Sequence, residues 1–357
     1  MLRVGIDVTP LLGEPTGVHQ HTRALIDALG SRTDVEVTGW LLTGRGGRPD
    51  VSFPVRRRLP ATVVQRLWGF MSIPRRGLLA GPVDVVHGTN FLAPPAAGTV
   101  VTIHDTTPLT HSHLTVPAVA AKACAIRRIL RSPALVHTAS QLVGDELVAD
   151  HGADPDRVVT VPHALRPAPR ADAHPGVEDH ERYIVTVGTT EKRKRVPAVV
   201  DALRHLPDDV GLVIAGPIGN DEPAVTHAIA RLPDPARVLR VTAVSDAARD
   251  ALVTGASVLV HAAEYEGFGF TPLEALQVGT PVAATAVGAL PELIGDEVAL
   301  ADPDAADISA VLAERIAHAL DTTVPPTVRQ RLDALTWDTT AAAMVELYAR
   351  AAAETSS

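Results

Sequence analysis

Short apolar runs alternate with helical segments along this chain, once over residues 1–165 and again over 182–335, and few folds accommodate that rhythm. In the first stretch strands are expected at 3–7, 35–42, 83–87, 99–104, 134–138 and 158–161, with helices such as 18–29, 116–130 and 141–151 between them. In the second stretch the runs fall at 183–188, 211–215, 238–241, 257–261 and 281–285. Runs this short and this continuously apolar suit strands buried on both faces, which is how parallel sheets flanked by helices are built. The expected class is therefore α/β, with two Rossmann-like domains whose sheets face a central cleft. Between Arg166 and Asp179 the chain carries three prolines and no apolar period, so 166–181 reads as a linker. A last helix is expected from Trp337 to Ala353, within a terminal segment 336–357. Ligands of open α/β sheets gather at the carboxyl ends of the strands.

One of those strand ends is unusually rich in chemistry. After the run at 257–261 come Glu264, Glu266, Gly267, Phe268, Gly269, Phe270, Thr271, Pro272 and Glu274, then Gly279-Thr280-Pro281-Val282. Thr271 stands where an N-cap should, and Pro272 suits a first helical position. A helix entered from a glycine loop offers backbone N–H groups and a positive dipole end to an anion, and Gly267 and Gly269 would let a phosphate come close. Glu274 has two readings: the far half of a capping box with Thr271, or a ligand for hydroxyls. Glu266 is either a solvated loop acid or the second such ligand.

The spacing of Glu266 and Glu274, with Glu-Gly-Phe-Gly-Phe, Leu-Glu-Ala-Leu and Gly-Thr-Pro-Val around them, resembles the signature of retaining glycosyltransferases of the GT-B fold, family GT4. Further segments match in order. Gly5-Ile6-Asp7 with Thr16-Gly17-Val18-His19 is similar to the family's first strand and glycine loop. Val101-Thr102-Ile103-His104-Asp105 resembles its strand ending in a donor-contacting histidine. Gly188-Thr189-Thr190-Glu191-Lys192-Arg193-Lys194-Arg195 resembles its phosphate-binding segment, and Leu335-Thr336-Trp337 the start of its last helix.

The resemblance implies an acceptor-side first domain, a second domain that binds the nucleotide sugar, and a terminal helix crossing back to the first. It implies that Arg193 and Lys194 contact the diphosphate near Gly188 and Thr189, and that Glu274 binds the ribose. Glu266 would hold donor-sugar hydroxyls, with Gly267, Phe268, Gly269, Phe270 and Thr271 around it. His104 would touch the donor sugar, Asp105 would orient its loop, and Gly17 would leave room for the diphosphate. Fixed cations suit such a reaction because charge builds on the leaving diphosphate. No nucleophile is evident, so same-face attack assisted by the leaving phosphate is preferred to a covalent intermediate. Some family members carry Arg directly after the glycine and a small residue or Asn after the Lys, where this chain has Thr189 and Arg195. GDP-mannose is the leading donor, ahead of UDP- or dTDP-sugars, and the acceptor is a sugar, a lipid-linked or a small-molecule hydroxyl. A sugar-nucleotide epimerase or phosphorylase of the same fold, and a nucleotide-sugar-binding protein without turnover, are the alternatives.

Charge and composition narrow the rest. The chain has 357 residues and a formal charge of −9, yet residues 1–165 hold sixteen Lys and Arg against thirteen Asp and Glu. From Arg56 to Arg76 there is no acid, and arginines interleave with Val63, Val64, Leu67, Trp68, Phe70 and Met71, a pattern able to meet an anionic membrane surface. Lys122, Arg127, Arg128 and Arg131 form a second basic group. The acidic total and the lack of a binding module argue against nucleic acid. No metal or cofactor is expected: Asp154-Pro155-Asp156 and Asp302-Pro303-Asp304 read as proline turns. Nor is there a Gly-Lys-Ser/Thr phosphate loop. Cys124 is the only cysteine, expected in a helix core and compatible with a reducing cytoplasm. His19 and His21 are expected on a helix surface. The expected location is the cytoplasm; the basic stretch reads either as a solvated helix covering an ordinary core or as a contact for the inner membrane face.

Overall fold

The computed structural model describes residues 1–12, 17–43, 47, 49–57, 60–73, 75–111, 117–166 and 182–355. They form two compact units, one of Met1–Ala164 with Leu335–Ser357, the other of Leu165–Ala334. The expected linker lies almost wholly outside the described residues; only Arg166 of it is seen, and it belongs to the second unit.

The first unit holds a seven-stranded sheet of β1 (Leu2–Asp7), β2 (Val35–Leu41), β3 (Val55–Arg57), β4 (Val85–Gly88), β5 (Thr99–Thr102), β6 (Leu135–Thr138) and β7 (Val158–Thr160). Every pairing is parallel, in the order β3-β2-β1-β4-β5-β6-β7. β3 was not among the expected strands. It is a three-residue edge strand carrying Arg56 and Arg57, so no apolar run marks it. The helix expected over 116–130 is two helices, Pro117–Ala120 and Ala123–Leu130, separated by a turn at 121–122; Val116 lies outside the described residues.

The terminal helix, Trp337–Ala353, begins at Thr336, whose side chain accepts from the Thr339 N–H while Thr339 answers in return. Met344, Leu347 and Tyr348 from this helix are buried with Val4, Ile6, Leu25 and Leu29, so the last residues complete the first unit's core. A polar relay crosses that core. His137 Nε2 must donate to the Val161 carbonyl (2.9 Å), leaving its Nδ1 to accept from Thr102 (2.9 Å). Thr102 therefore accepts from His87 Nε2 (2.8 Å), and His87 Nδ1 accepts from the Tyr348 hydroxyl (2.8 Å). One carbonyl thus fixes the tautomers of two buried, neutral histidines.

In the second unit β8 (Arg182–Val187), β9 (Val210–Ala215), β10 (Val238–Val241), β11 (Val258–His261) and β12 (Val282–Ala284) form a parallel sheet in the order β10-β9-β8-β11-β12. Strand order reverses between β8 and β11, whose shared register includes Val258 opposite Ile184. A crevice for ligand opens at such a reversal, so the loops after β8 and β11 occupy the privileged place in this unit.

Candidate functional site

The chain leaves β8 at Gly188, whose φ is 127°, and a Cβ there would lie 2.0 Å from Lys194 Nζ. Glycine is required on both counts. Beyond it the segment folds into a single 3-10 turn, Lys192–Lys194, and then into the Val196–Ala202 helix. Arg195 between them is held at φ 47°, a left-handed conformation that Gly or Asn adopts more cheaply. Its guanidinium is locked by Glu264 (3.0 Å) and the Pro303 carbonyl (2.5 Å), which holds an arginine in this conformation. Thr189 is half-buried at the mouth of this loop, and its carbonyl accepts from the Glu191 N–H at 2.8 Å.

The loop after β11 meets that turn. The Glu264 N–H donates to the Arg193 carbonyl at 2.7 Å, so backbone joins the two loops, and Arg193 Nη1 donates to Glu266 Oε1 at 2.5 Å. Arg193 Nε also donates to Glu191 (2.9 Å). Burial raises the Glu266 pKa, but Arg193, His261 and Lys194 pull harder and hold it at about 2, so it is ionised at neutral pH. His261 Nε2 lies 3.8 Å from the same oxygen; burial lowers this histidine to about 4, so it is neutral near pH 7. The Lys194 ammonium, close to the Val187 carbonyl (3.5 Å), has its pKa lowered, first by burial. Gly188, Arg193, Lys194 and Glu266 are thus brought into one cluster.

The Phe270–Val278 helix does not begin as the sequence suggests. Gly269, at φ 89°, is the N-cap, Phe270 opens the helix, and Thr271 and Pro272 fall inside the first turn with no side-chain cap bond. A glycine in the left-handed region turns the chain tightly enough to start the helix two residues early. The capping-box reading of Glu274 is thereby overturned. Phe268 is buried, packs its ring at a tilt against Phe270 with centroids 4.9 Å apart, and offers its carbonyl to the Ala289 N–H at 3.0 Å. Gly267 precedes it in the same buried loop.

Glu274 points to two arginines. Oε1 accepts from Arg166 Nε (3.0 Å) and Oε2 from Arg249 Nη2 (3.0 Å), while both arginines also bind Asp250 at 2.8 Å. Burial raises the Glu274 pKa, with Arg166 opposing and Asp250 adding to the rise. Thr271 and Gln277 line the small hollow beside this group. Sequence reading missed Arg166, Arg249 and His261. Arg166 looked like linker, 108 residues from its partner, and nothing local singles out Arg249; only His261, ending a strand just before the acidic loop, carried a signal.

In the first unit, His104 follows β5 and is half-buried. Its Nε2 donates to the Thr89 carbonyl (2.8 Å), and burial lowers its pKa to about 4, so its Nδ1 bears a lone pair. Asp105 accepts from the Thr107 N–H (2.9 Å) and from the Thr107 hydroxyl, an Asx turn that shapes the loop. Gly17 begins the Gly17–Gly30 helix, and a Cβ there would meet no atom within 4 Å, so the protein itself does not demand glycine. His21, expected on the surface, is buried: its ring lies 3.8 Å from His163, 5.7 Å from His104 and 5.4 Å from Trp337. A helix face packed on histidines and a tryptophan is as buried as an apolar one, which hydropathy does not register. Cys124, expected in the core, is exposed. Asp154 and Asp302 each accept from the N–H two residues on, as proline turns.

Two parallel sheets, each reversing order beside its first strand and each flanked by helices, define the GT-B fold. The structure of Anabaena Alr3699/HepE in complex with UDP and glucose is similar over 98% of this chain and all of its own, with a TM-score of 0.72 at 17% identity. Two sequence profiles match: the Glycosyl transferases group 1 family over residues 169–331 and the Glycosyl transferase 4-like domain over 16–164. The chain belongs to the GT4-like glycosyltransferase family. Among curated relatives, the O-antigen chain mannosyltransferase B of Escherichia coli is 28% identical over 246 residues, 64% of this chain and 63% of that protein. The D-inositol 3-phosphate glycosyltransferase of Mycobacterium sp. strain KMS is 33% identical over 179 residues, 47% of this chain. The matched part spans only 41% of that relative's length.

Proposed function

We propose that this protein transfers a sugar, with retention of configuration, from a nucleotide-diphospho-sugar to an acceptor hydroxyl. The observation that carries the reading is the cluster at the strand-order reversal, where Arg193 and Lys194 lie against Gly188 and the ionised Glu266. Two cations held in a partly desolvated loop stabilise a leaving diphosphate far better than water does. Glu266 keeps one oxygen on Arg193 and the other for donor-sugar hydroxyls. Glu274, freed from capping the helix, accepts from the ribose with its remaining lone pairs. His104 is assigned to the donor sugar through its Nδ1, and Asp105 to shaping the loop that presents it.

GDP-mannose is the donor placed first; the name of the Escherichia coli relative supports mannose, and the Anabaena structure, with UDP and glucose, keeps UDP-sugars next. A cytoplasmic location is supported by the single free cysteine, which suits a reducing compartment. The test is a thermal-shift panel of GDP-, UDP-, ADP- and dTDP-sugars on the wild type, Glu274→Ala and Lys194→Ala. One donor at about 100 times its Kd adds about 2.7 kcal/mol to the wild type, and both variants lose most of that gain. No stabilisation by any of the four, or variants that respond like the wild type, would sink the reading.

A further inference from the structure

Five of the chain's strongly exposed large apolar side chains, Val63, Phe70, Met71, Ile73 and Leu78, fall within one span of the first unit. Phe70 is 77% exposed and Leu78 60%, whereas Val64 and Trp68, on the other face of the Ala61–Phe70 helix, are buried. The helix therefore has its core face satisfied and a second apolar surface, continued at its C-terminus, that is exposed among the described residues.

Directly beside that tip is a hollow of about 510 Å³ lined by Gly69, Cys124, Arg127, Arg128 and Arg131. Cys124 Sγ lies against the Gly69 carbonyl (3.7 Å) and Arg128 Nη2 reaches the Ser72 hydroxyl (3.4 Å), so the Ala123–Leu130 helix and the 69–72 segment form its walls. Arg128 Nε is buried there without a hydrogen-bond partner. Among the described residues Arg66, Arg127 and Arg131 make no ion pair with a carboxylate. Residues 51–83 and 106–144 contain ten Lys and Arg and no Asp or Glu, in a chain whose total is −9.

We propose that this face docks on an anionic phospholipid bilayer, with lipid phosphates in the arginine hollow and Phe70, Met71 and Ile73 entering at the level of the acyl chains. Planar guanidinium groups match phosphate oxygens in pairs, and each cation near an anionic surface contributes about 1 kcal/mol. A second copy of the chain does not fit, because the face would meet its own positive charge. Nucleic acid fits poorly, since Phe70 is the single aromatic among the exposed tip residues Phe70, Met71 and Ile73, and a strand of successive bases needs a series of stacking rings. The Arg56 end of the stretch belongs elsewhere: its guanidinium packs against Gly81. The inference does not depend on the transfer reaction.

The experiment is co-sedimentation of the full chain with vesicles of phosphatidylcholine alone and of equal parts phosphatidylcholine and phosphatidylglycerol. Binding is expected to the mixed vesicles only, and to weaken with salt. Phe70→Ser with Ile73→Ser, and separately Arg127→Gln with Arg131→Gln, each lower it about tenfold or more, while tryptophan fluorescence reports an unchanged fold. Absence of binding, equal binding to both vesicles, or indifference to both variant pairs overturns the proposal. So does displacement by inorganic phosphate at matched ionic strength, which would make the hollow a soluble-anion site, or retention by single-stranded RNA without binding to vesicles.

Discussion

The ammonium of Lys194 occupies the space that any side chain at Gly188 would need: a Cβ on Gly188 would stand 2.0 Å from Lys194 Nζ. Gly188→Ala therefore both strains a φ of 127° and expels the lysine. The expected result is a loss of about 1–3 kcal/mol in stability and a donor-induced thermal shift as small as that of Lys194→Ala. Gly152→Ala is the control, because Gly152 has a φ of 68° but open space around it. It should cost stability alone.

Glu274 shares its site with Asp250, and Arg249 and Arg166 keep the two acids compatible. Arg249→Ala removes one guanidinium and leaves Asp250 pushing the Glu274 pKa further up. The donor KM should rise about tenfold, kcat should change little, and the defect should deepen as the pH is lowered because a protonated Glu274 accepts poorly. Arg249→Lys should restore part of the affinity. Steady-state kinetics across pH decides it; a KM equal to the wild type at every pH would remove Arg249 from the site.

Tyr348→Phe deletes the donor at the head of the relay and leaves His87 Nδ1 buried without a partner. That costs about 1–3 kcal/mol. Urea unfolding followed by tryptophan fluorescence reads it directly, since Trp40, Trp68 and Trp337 all lie in the first unit. An unchanged midpoint would refute the relay.

Acid should weaken the first unit before the pH reaches the carboxylate range. Burial lowers His104 and His137 to about 4, and His21, His87 and His163 well below the usual 6.5. The unfolded chain takes up these protons below 6.5 while the folded unit refuses them, so stability is full above 6.5 and falls as pH drops toward 4. Each histidine contributes a slope of about 1.4 kcal/mol per pH unit in that window. Asp7, raised to about 6 chiefly by burial, opposes them with a single proton. Urea midpoints at pH 7, 6 and 5 should fall steadily; a flat series would mean the histidines are not held neutral.

Much of this was legible beforehand. Strands such as β6 and β11 are buried at every position because both faces are covered, and their Leu-Val and Val-Leu-Val runs mark them; the terminal helix was readable from Thr336 onward. β3 was not, since an arginine-bearing edge strand is made by its neighbour Gly39 to Leu41 rather than by its own pattern. The start of the Phe270–Val278 helix was misplaced because Thr-Pro is a good local signal that Gly269 at φ 89° overrides. His21 was misplaced because its burial depends on His163 and Trp337, far away in sequence.

The sequence by itself determined the α/β class, the family, and the residue types of the phosphate and acid segments, because apolar periodicity and glycine spacing are local properties. Only the tertiary structure decided what those residues do to one another. It put Arg193 on Glu266 and Lys194 under Gly188, and gave Glu274 to Arg166 and Arg249. Partners 73 and 108 residues apart are joined by the order of strands, and strand order leaves no mark in either partner's local sequence.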